Sequence, residues 1–175
     1  MTLSDLSLIS RVILHNDHRA FGKLVNKYQS EVRSLLTRLT NGNKFLADDL
    51  SQEVFIRAYK YLRSYKAAAS FYTWLYRIAY HVFIDHYRSN RQTLNSGDYD
   101  FAEEVYEDVS SDIDLQNALK VLKPNEKVAV LMHYEKGFSH SEIARILQVP
   151  LGTVKTNILR AKEKLKKYYR YEEHG

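Results

Sequence analysis

Gly137-Phe138-Ser139-His140-Ser141-Glu142-Ile143-Ala144-Arg145-Ile146-Leu147-Gln148-Val149-Pro150-Leu151-Gly152-Thr153-Val154-Lys155 is the stretch that decides the fold. Ser139 and Glu142 have the spacing of a capping box, in which the hydroxyl accepts from an amide of the first turn and the glutamate reaches back. Ile143, Ala144 and Leu147 then form the inner side of a short helix. Gln148-Val149 makes a turn, and Pro150 restarts the chain with a φ suited to a first helical turn. Val154, Ile158, Ala161 and Leu165 line the inner face of a longer second helix. A short helix, a tight turn and a longer basic helix are the layout of a helix-turn-helix.

The outer face of that second helix carries Lys155, Thr156, Arg160, Lys162, Lys166 and Lys167. A recognition helix needs polar and cationic groups near its start to reach base edges, and further cations to meet phosphates. Lys155, Thr156, Leu159 and Arg160 are the candidates for base edges, and Lys162 for the backbone. Thr153 lies where its hydroxyl and unpaired helix-start amides can hold a phosphate. A plain helical hairpin with a solvated basic face is the competing interpretation.

Outward from this motif the whole chain reads as helices. Leu115, Ala118, Leu119 and Leu122 form one face, and Pro124 opens a helix with Val128, Leu131 and Met132 inside, which Gly137 stops. Toward the N-terminus, Phe21, Leu24, Val25 and Tyr28 recur at helical spacing, as do Val32, Leu35, Leu36 and Leu39. Thr40-Asn41-Gly42-Asn43 reads as a helix stop. Leu46, Leu50, Val54, Ala58 and Leu62 form a second stripe, Ser64 to Ser70 a loop, and Phe71 to Arg88 a third helix. Only six glycines and two prolines occur in 175 residues, which suits a chain with few breaks in its helices. The expected fold is all-α: two small helical domains, over residues 1–92 and 113–175, joined by an acidic flexible linker over 93–112.

Charge supports this division. Residues 1–93 hold 14 Lys/Arg against 7 Asp/Glu, residues 94–114 hold no Lys/Arg and 8 Asp/Glu, and residues 115–175 hold 12 against 6. Two basic blocks around a strip of net charge −8 suggest two polyanion-binding domains and a spacer. Tyr99, Phe101, Val105 and Tyr106 within the strip are more than a spacer requires, and suggest docking. The absence of cysteine excludes disulfide scaffolds and Cys-based zinc sites, and agrees with a cytoplasmic location. Met1 to Ser10 does not read as a signal peptide, and no run of about 18 apolar residues suggests a membrane span.

Phe71-Tyr72-Thr73-Trp74-Leu75-Tyr76-Arg77-Ile78-Ala79-Tyr80-His81 is dense in aromatics and ends on basic groups. Such a mixture holds unstacked bases on rings and phosphates on guanidinium groups. Aromatics at helical spacing are also ordinary core, and Trp74 and Ile78 are assigned there. Tyr72, Arg77, Tyr80, His81, Arg88 and Arg91 are the candidates for DNA contact. Asp48, Asp49, Gln52 and Glu53 form a tight acidic cluster. Asp48 and Asp49 point in different directions on a helix and no histidine stands at ligand spacing, so a protein-binding face is favoured over a metal or acid–base site. No phosphate loop, nucleophile elbow, triad or HExxH pattern occurs, so no catalytic residue, metal or cofactor is assigned.

Taken together, these stretches resemble the extracytoplasmic-function sigma factors of the sigma-70 family. Ala20-Phe21 with Leu24 and Tyr28 is similar to the opening of the family's first conserved region. Asp48-Asp49-Leu50-Ser51-Gln52-Glu53-Val54-Phe55-Ile56-Arg57-Ala58-Tyr59 resembles its polymerase-binding helix. Phe71 to Ala79 resembles its promoter-melting segment. Gly137 to Lys166, with Glu142-Ile143-Ala144 and Gly152-Thr153-Val154-Lys155, resembles the helix-turn-helix that reads the minus-35 element.

The resemblance implies a sigma region 2 helical bundle followed by a sigma region 4 helix-turn-helix. It implies a promoter-recognition subunit, not an enzyme, that works with bacterial core RNA polymerase and promoter DNA and takes no small-molecule substrate. Asp49, Gln52, Glu53 and Phe55 match the polymerase-binding motif. The first domain captures a flipped base of the minus-10 element, and the linker runs toward the RNA exit path. Family members are commonly held by a membrane-anchored anti-sigma factor, which leaves a partner of that kind open here. Two departures stand out: His81 where the family often has Asn, and Gln148 where Gly is common. A stand-alone helix-turn-helix regulator remains the alternative, and a small nucleic-acid enzyme using Asp48, Asp49 and Glu53 a more distant one.

Overall fold

The computed structural model describes residues 4–94 and 112–172. The elements, in order, are α1 (Asp5–His15), α2 (His18–Leu39), α3 (Lys44–Tyr61), a 3-10 turn (Leu62–Ser64), α4 (Phe71–Leu94), α5 (Asp112–Lys120), α6 (Pro124–Tyr134), α7 (His140–Leu147) and α8 (Leu151–Glu172). Among the described residues there is no strand.

Local chemistry sets the helix ends. Ser4, Asp17 and Asn43 each accept an amide of the first turn that follows, at Ser7, Ala20 and Leu46. Between α2 and α3, Asn41 and Gly42 adopt positive φ, which reverses the chain within the Thr40–Asn43 segment. Helix α1 has no counterpart among the sequence-based expectations. It tucks Leu8, Ile9 and Val12 under α2 and the 3-10 turn. Helix α4 runs to Leu94, six residues past the Arg88 end expected from the pattern.

Helix α2 is the spine of the first bundle, with Leu24, Val32, Leu35 and Leu36 fully buried against α1, α3 and α4. The second bundle closes α6, α7 and α8 around Met132, Ile143, Ile146, Val154 and Ile158, with α5 laid against α8. Glu126 is 3% exposed: its carboxylate accepts the Lys123 amide at 2.9 Å and Lys164 Nζ at 2.7 Å. Burial pushes that carboxyl up, but these partners together hold it below its ordinary value.

The bundles are not held apart. Helix α7 packs on α4, and α6 on α2, so one continuous apolar core runs through both. Lys127 of α6 donates to the Asn41 side chain, and Glu135, just past α6, pairs with Arg38 of α2 at 2.8 Å.

Candidate nucleic-acid interface

Helix α8 divides cleanly by face. Val154, Ile158 and Ala161 are buried, whereas Thr153, Lys155, Thr156, Leu159, Arg160 and Lys162 are all exposed. The helix-turn-helix geometry that presents them follows from α7. Ser139 Oγ accepts the Glu142 amide at 3.3 Å, and Glu142 Oε2 accepts the Ser139 amide at 2.9 Å, closing the capping box. The Ser139 hydroxyl, donating to Glu142 Oε2 at 2.7 Å, and then the Ser139 amide hold the Glu142 carboxyl below its ordinary value. Gln148 ends α7 at φ 56°, a left-handed conformation that costs a side chain about 1–2 kcal/mol. The Pro150 carbonyl accepts the Thr153 amide at 2.9 Å and starts α8. Two candidates are engaged within the protein: Thr156 donates to the Gly152 carbonyl at 2.9 Å, and Lys162 lies over the Tyr134 ring at 5.8 Å. Leu159 is 58% exposed, an apolar group suited to a thymine methyl. Arg145 on α7 is exposed as well, and sequence reasoning did not single it out.

Helix α4 behaves differently. Tyr72 is half-buried, its hydroxyl donating to Glu31 at 3.0 Å and its ring stacked on Phe138 at 5.3 Å. Burial pushes its phenol up to about 12. Tyr80 is 8% exposed, with its phenol likewise raised by burial, so it serves chiefly as core. His81 is half-buried beside Tyr80, and burial together with the Arg77 cation pulls its imidazole below the ordinary value. It is therefore neutral near pH 7, a donor and acceptor rather than a cation. Arg77 is half-buried and Arg88 exposed. Arg91 lies on the last turns of α4, where only the backbone is described. Trp74 and Ile78, expected in the core, pack against it, each half-buried.

The acidic cluster sorts as helical geometry requires. Asp48 pairs with Arg33 of α2, which lowers its carboxyl, while Asp49 and Gln52 face solvent. Glu53 is tied to Arg57 at 2.6 Å, and Arg57 reaches Asp85 of α4 at 2.8 Å. Phe55 is only 9% exposed and packs inward. The outward apolar groups are instead Ile56 at 61% and Phe45 at 71%. Phe45, Asp49, Gln52 and Ile56 stand at i, i+4, i+7 and i+11, so they share one outward face of α3. The signal was present in the sequence as apolar residues off the Leu46–Leu50–Val54–Ala58 stripe. Among the described residues no cluster of three or more His, Asp or Glu side chains can hold a metal, and no helix is long and apolar enough to cross a membrane.

Residues 24–93 match the model of sigma-70 region 2, and residues 112–165 that of sigma-70 region 4. The chain belongs to the sigma-70 family. It is 33% identical to the ECF RNA polymerase sigma-E factor of Haemophilus influenzae, over 92% of this chain and 93% of that one. It is 31% identical to the RNA polymerase sigma-H factor of Pseudomonas aeruginosa, over 93% and 92%. This places it with the extracytoplasmic-function sigma factors, DNA-binding subunits that act in promoter recognition at transcription initiation. The fold agrees with the sigma factor RpoE in complex with the anti-sigma factor NepR from Bartonella quintana, at TM-score 0.75 and 22% identity over 86% of this chain and 96% of that one. It also agrees with CnrH in complex with the cytosolic domain of CnrY, at TM-score 0.68 and 22% identity over 94% and 96%.

Proposed function

We propose that this sigma factor divides its work among three helices. The outward face of α3, with Asp49, Gln52, Glu53 and the apolar Phe45 and Ile56, docks on core RNA polymerase. Helix α8 reads the minus-35 element through Lys155, Thr156, Leu159 and Arg160, with Thr153 and Lys162 on phosphates. Helix α4 meets the minus-10 element with Tyr72, Arg77, His81, Arg88 and Arg91, while Tyr80 supports that surface from within. The boundaries follow: residues 1–92 for polymerase and minus-10, 113–175 for minus-35, and the acidic strip at 93–112, outside the described residues apart from its two ends, as an RNA mimic in a basic channel. The protein has no catalytic activity or cofactor of its own, acts in the cytoplasm, and is open to control by an anti-sigma factor.

The stripe on α3 is the observation that carries this reading. Two large apolar groups largely exposed beside carboxylates form a mixed patch of the kind that suits a protein partner. Co-elution with core RNA polymerase tests it. The wild-type chain should elute with the polymerase, and the Asp49→Ala, Glu53→Ala and Ile56→Ala variants, combined, should not. Retention by the triple variant would move the docking face elsewhere.

A further inference from the structure

Helix α8 continues past its reading residues. Residues 166–172 lie beyond the stretch that matches sigma-70 region 4, yet they remain helical. Lys155, Lys162, Lys166 and Tyr169 stand at i, i+7, i+11 and i+14, so they fall on one line along the helix, and all four are exposed. Tyr134, the last residue of α6, stands beside that line: Lys162 Nζ lies 5.8 Å from the centre of its ring. Tyr134 is 59% exposed and Tyr169 42%, and neither hydroxyl has a hydrogen-bond partner among the described residues. Past Lys155 the line therefore offers ammonium groups and phenols, all of them donors. Glu163, next to Lys162 in sequence, is turned about 100° away from it around the helix. Cations near the end of a helix also complement its dipole, but the dipole has no use for phenols.

At 1.5 Å per residue the line runs about 10 Å from Lys155 to Lys162, and about 21 Å to Tyr169. The major groove is about 12 Å wide and 8.5 Å deep. A helix that meets base edges with its first turns has thus left the bases by Lys162, and the rest of the line is level with the strands that wall the groove. We propose that Tyr134, Lys162, Lys166 and Tyr169 form a rail of phosphate donors, which grips one strand beside the minus-35 element without regard to its sequence. The rail rests on the reading of α8 given above and carries it past the residues that match region 4. An anionic membrane surface also takes lysines and tyrosines, but it asks for an aliphatic face as well, and that of α8, with Val154 and Ile158, is buried in the bundle.

The test uses holoenzyme reconstituted from core RNA polymerase and the full chain, on promoter fragments recovered by run-off transcription, with binding read across a salt series. Lys166→Gln should make the slope of log K against log salt shallower by about 0.9, the value of one phosphate contact. Tyr134→Phe combined with Tyr169→Phe should leave that slope unchanged, because a neutral phenol displaces no counterion, and should weaken binding at least about fivefold. Both losses should be the same on promoters that differ in their minus-35 sequence, whereas that of Arg160→Ala should not. An unchanged slope with Lys166→Gln, or full affinity in the double phenylalanine variant, overturns the rail. So does capture of the full chain by phosphatidylcholine–phosphatidylglycerol vesicles that Lys166→Gln abolishes while the DNA slope stays as it was, which would give the line to a membrane. Failure of the promoter reading would register separately, as no new transcript starts with the wild-type holoenzyme.

Discussion

Helices α4 and α8 are of similar length and both are proposed to meet DNA, yet they face solvent in opposite ways. Helix α8 holds Lys155, Arg160 and Lys162 in water, whereas α4 turns Tyr76 and Tyr80 inward and half-covers Tyr72. The difference matches what each proposed ligand would demand. Phosphates and base edges in a groove are met by cations, and burying those cations without partners costs far more than a resting contact returns. Unstacked bases are met by aromatic faces, which gain about 25 cal/mol per Å² when another apolar group covers them. A surface built for stacking is therefore also a surface on which the protein can stack on itself, and a surface built for phosphate is not.

The most severe way to break this comparison is Tyr76→Ala. Its side chain, on α4, is fully buried against the Phe138 turn, and the change should cost about 3–5 kcal/mol in chemical denaturation. Arg160→Ala should do the opposite. Folding stability should move by less than about 0.5 kcal/mol. Promoter binding by the reconstituted holoenzyme should weaken by about 1–3 kcal/mol, read by filter binding at fixed salt. Gln148→Gly sharpens the comparison from the side of the scaffold. Relief of the left-handed strain outweighs the added chain entropy, for a net gain of about 0.5 kcal/mol and a later denaturant midpoint at unchanged slope.

The smallest effect is a drift with pH. Burial pulls both His81 and His86 below the ordinary histidine value of 6.5. Around His81, Arg77, Arg57 and Arg88 add to the fall and Asp85 opposes it. Their folded pKa values are depressed, so the unfolded chain takes up protons first as pH falls below 6.5, and stability drops until the folded values are passed. Thermal melts from pH 7.5 to 5 should show this decline, and His81→Asn with His86→Asn should flatten it.

The helix-turn-helix was legible because its signals are local: a serine and a glutamate three residues apart, and an apolar stripe with cations opposite. The stripe of α2 was legible for the same reason. Helix α1 was missed because Leu8, Ile9 and Val12 make only three buried positions in a short segment. The last turns of α4 were missed because Ser89, Asn90 and Gln92 are loop-like in composition, though nothing there breaks a helix. Phe55 and Tyr80 show a different limit. On a helix with aromatics on more than one face, identity does not say which ring turns inward, and packing against the neighbouring helices decides. The contact of Phe138 with Tyr72 joins residues 66 positions apart, and no periodicity records such a pairing.

The most direct test of the account is run-off transcription with core RNA polymerase on sheared chromosomal DNA from the organism that encodes this chain. Addition of the protein should create new transcript starts that share two upstream elements at one fixed spacing, and Arg160→Ala should weaken them. No new starts, or footprinting of DNA by the protein alone without polymerase, would contradict it.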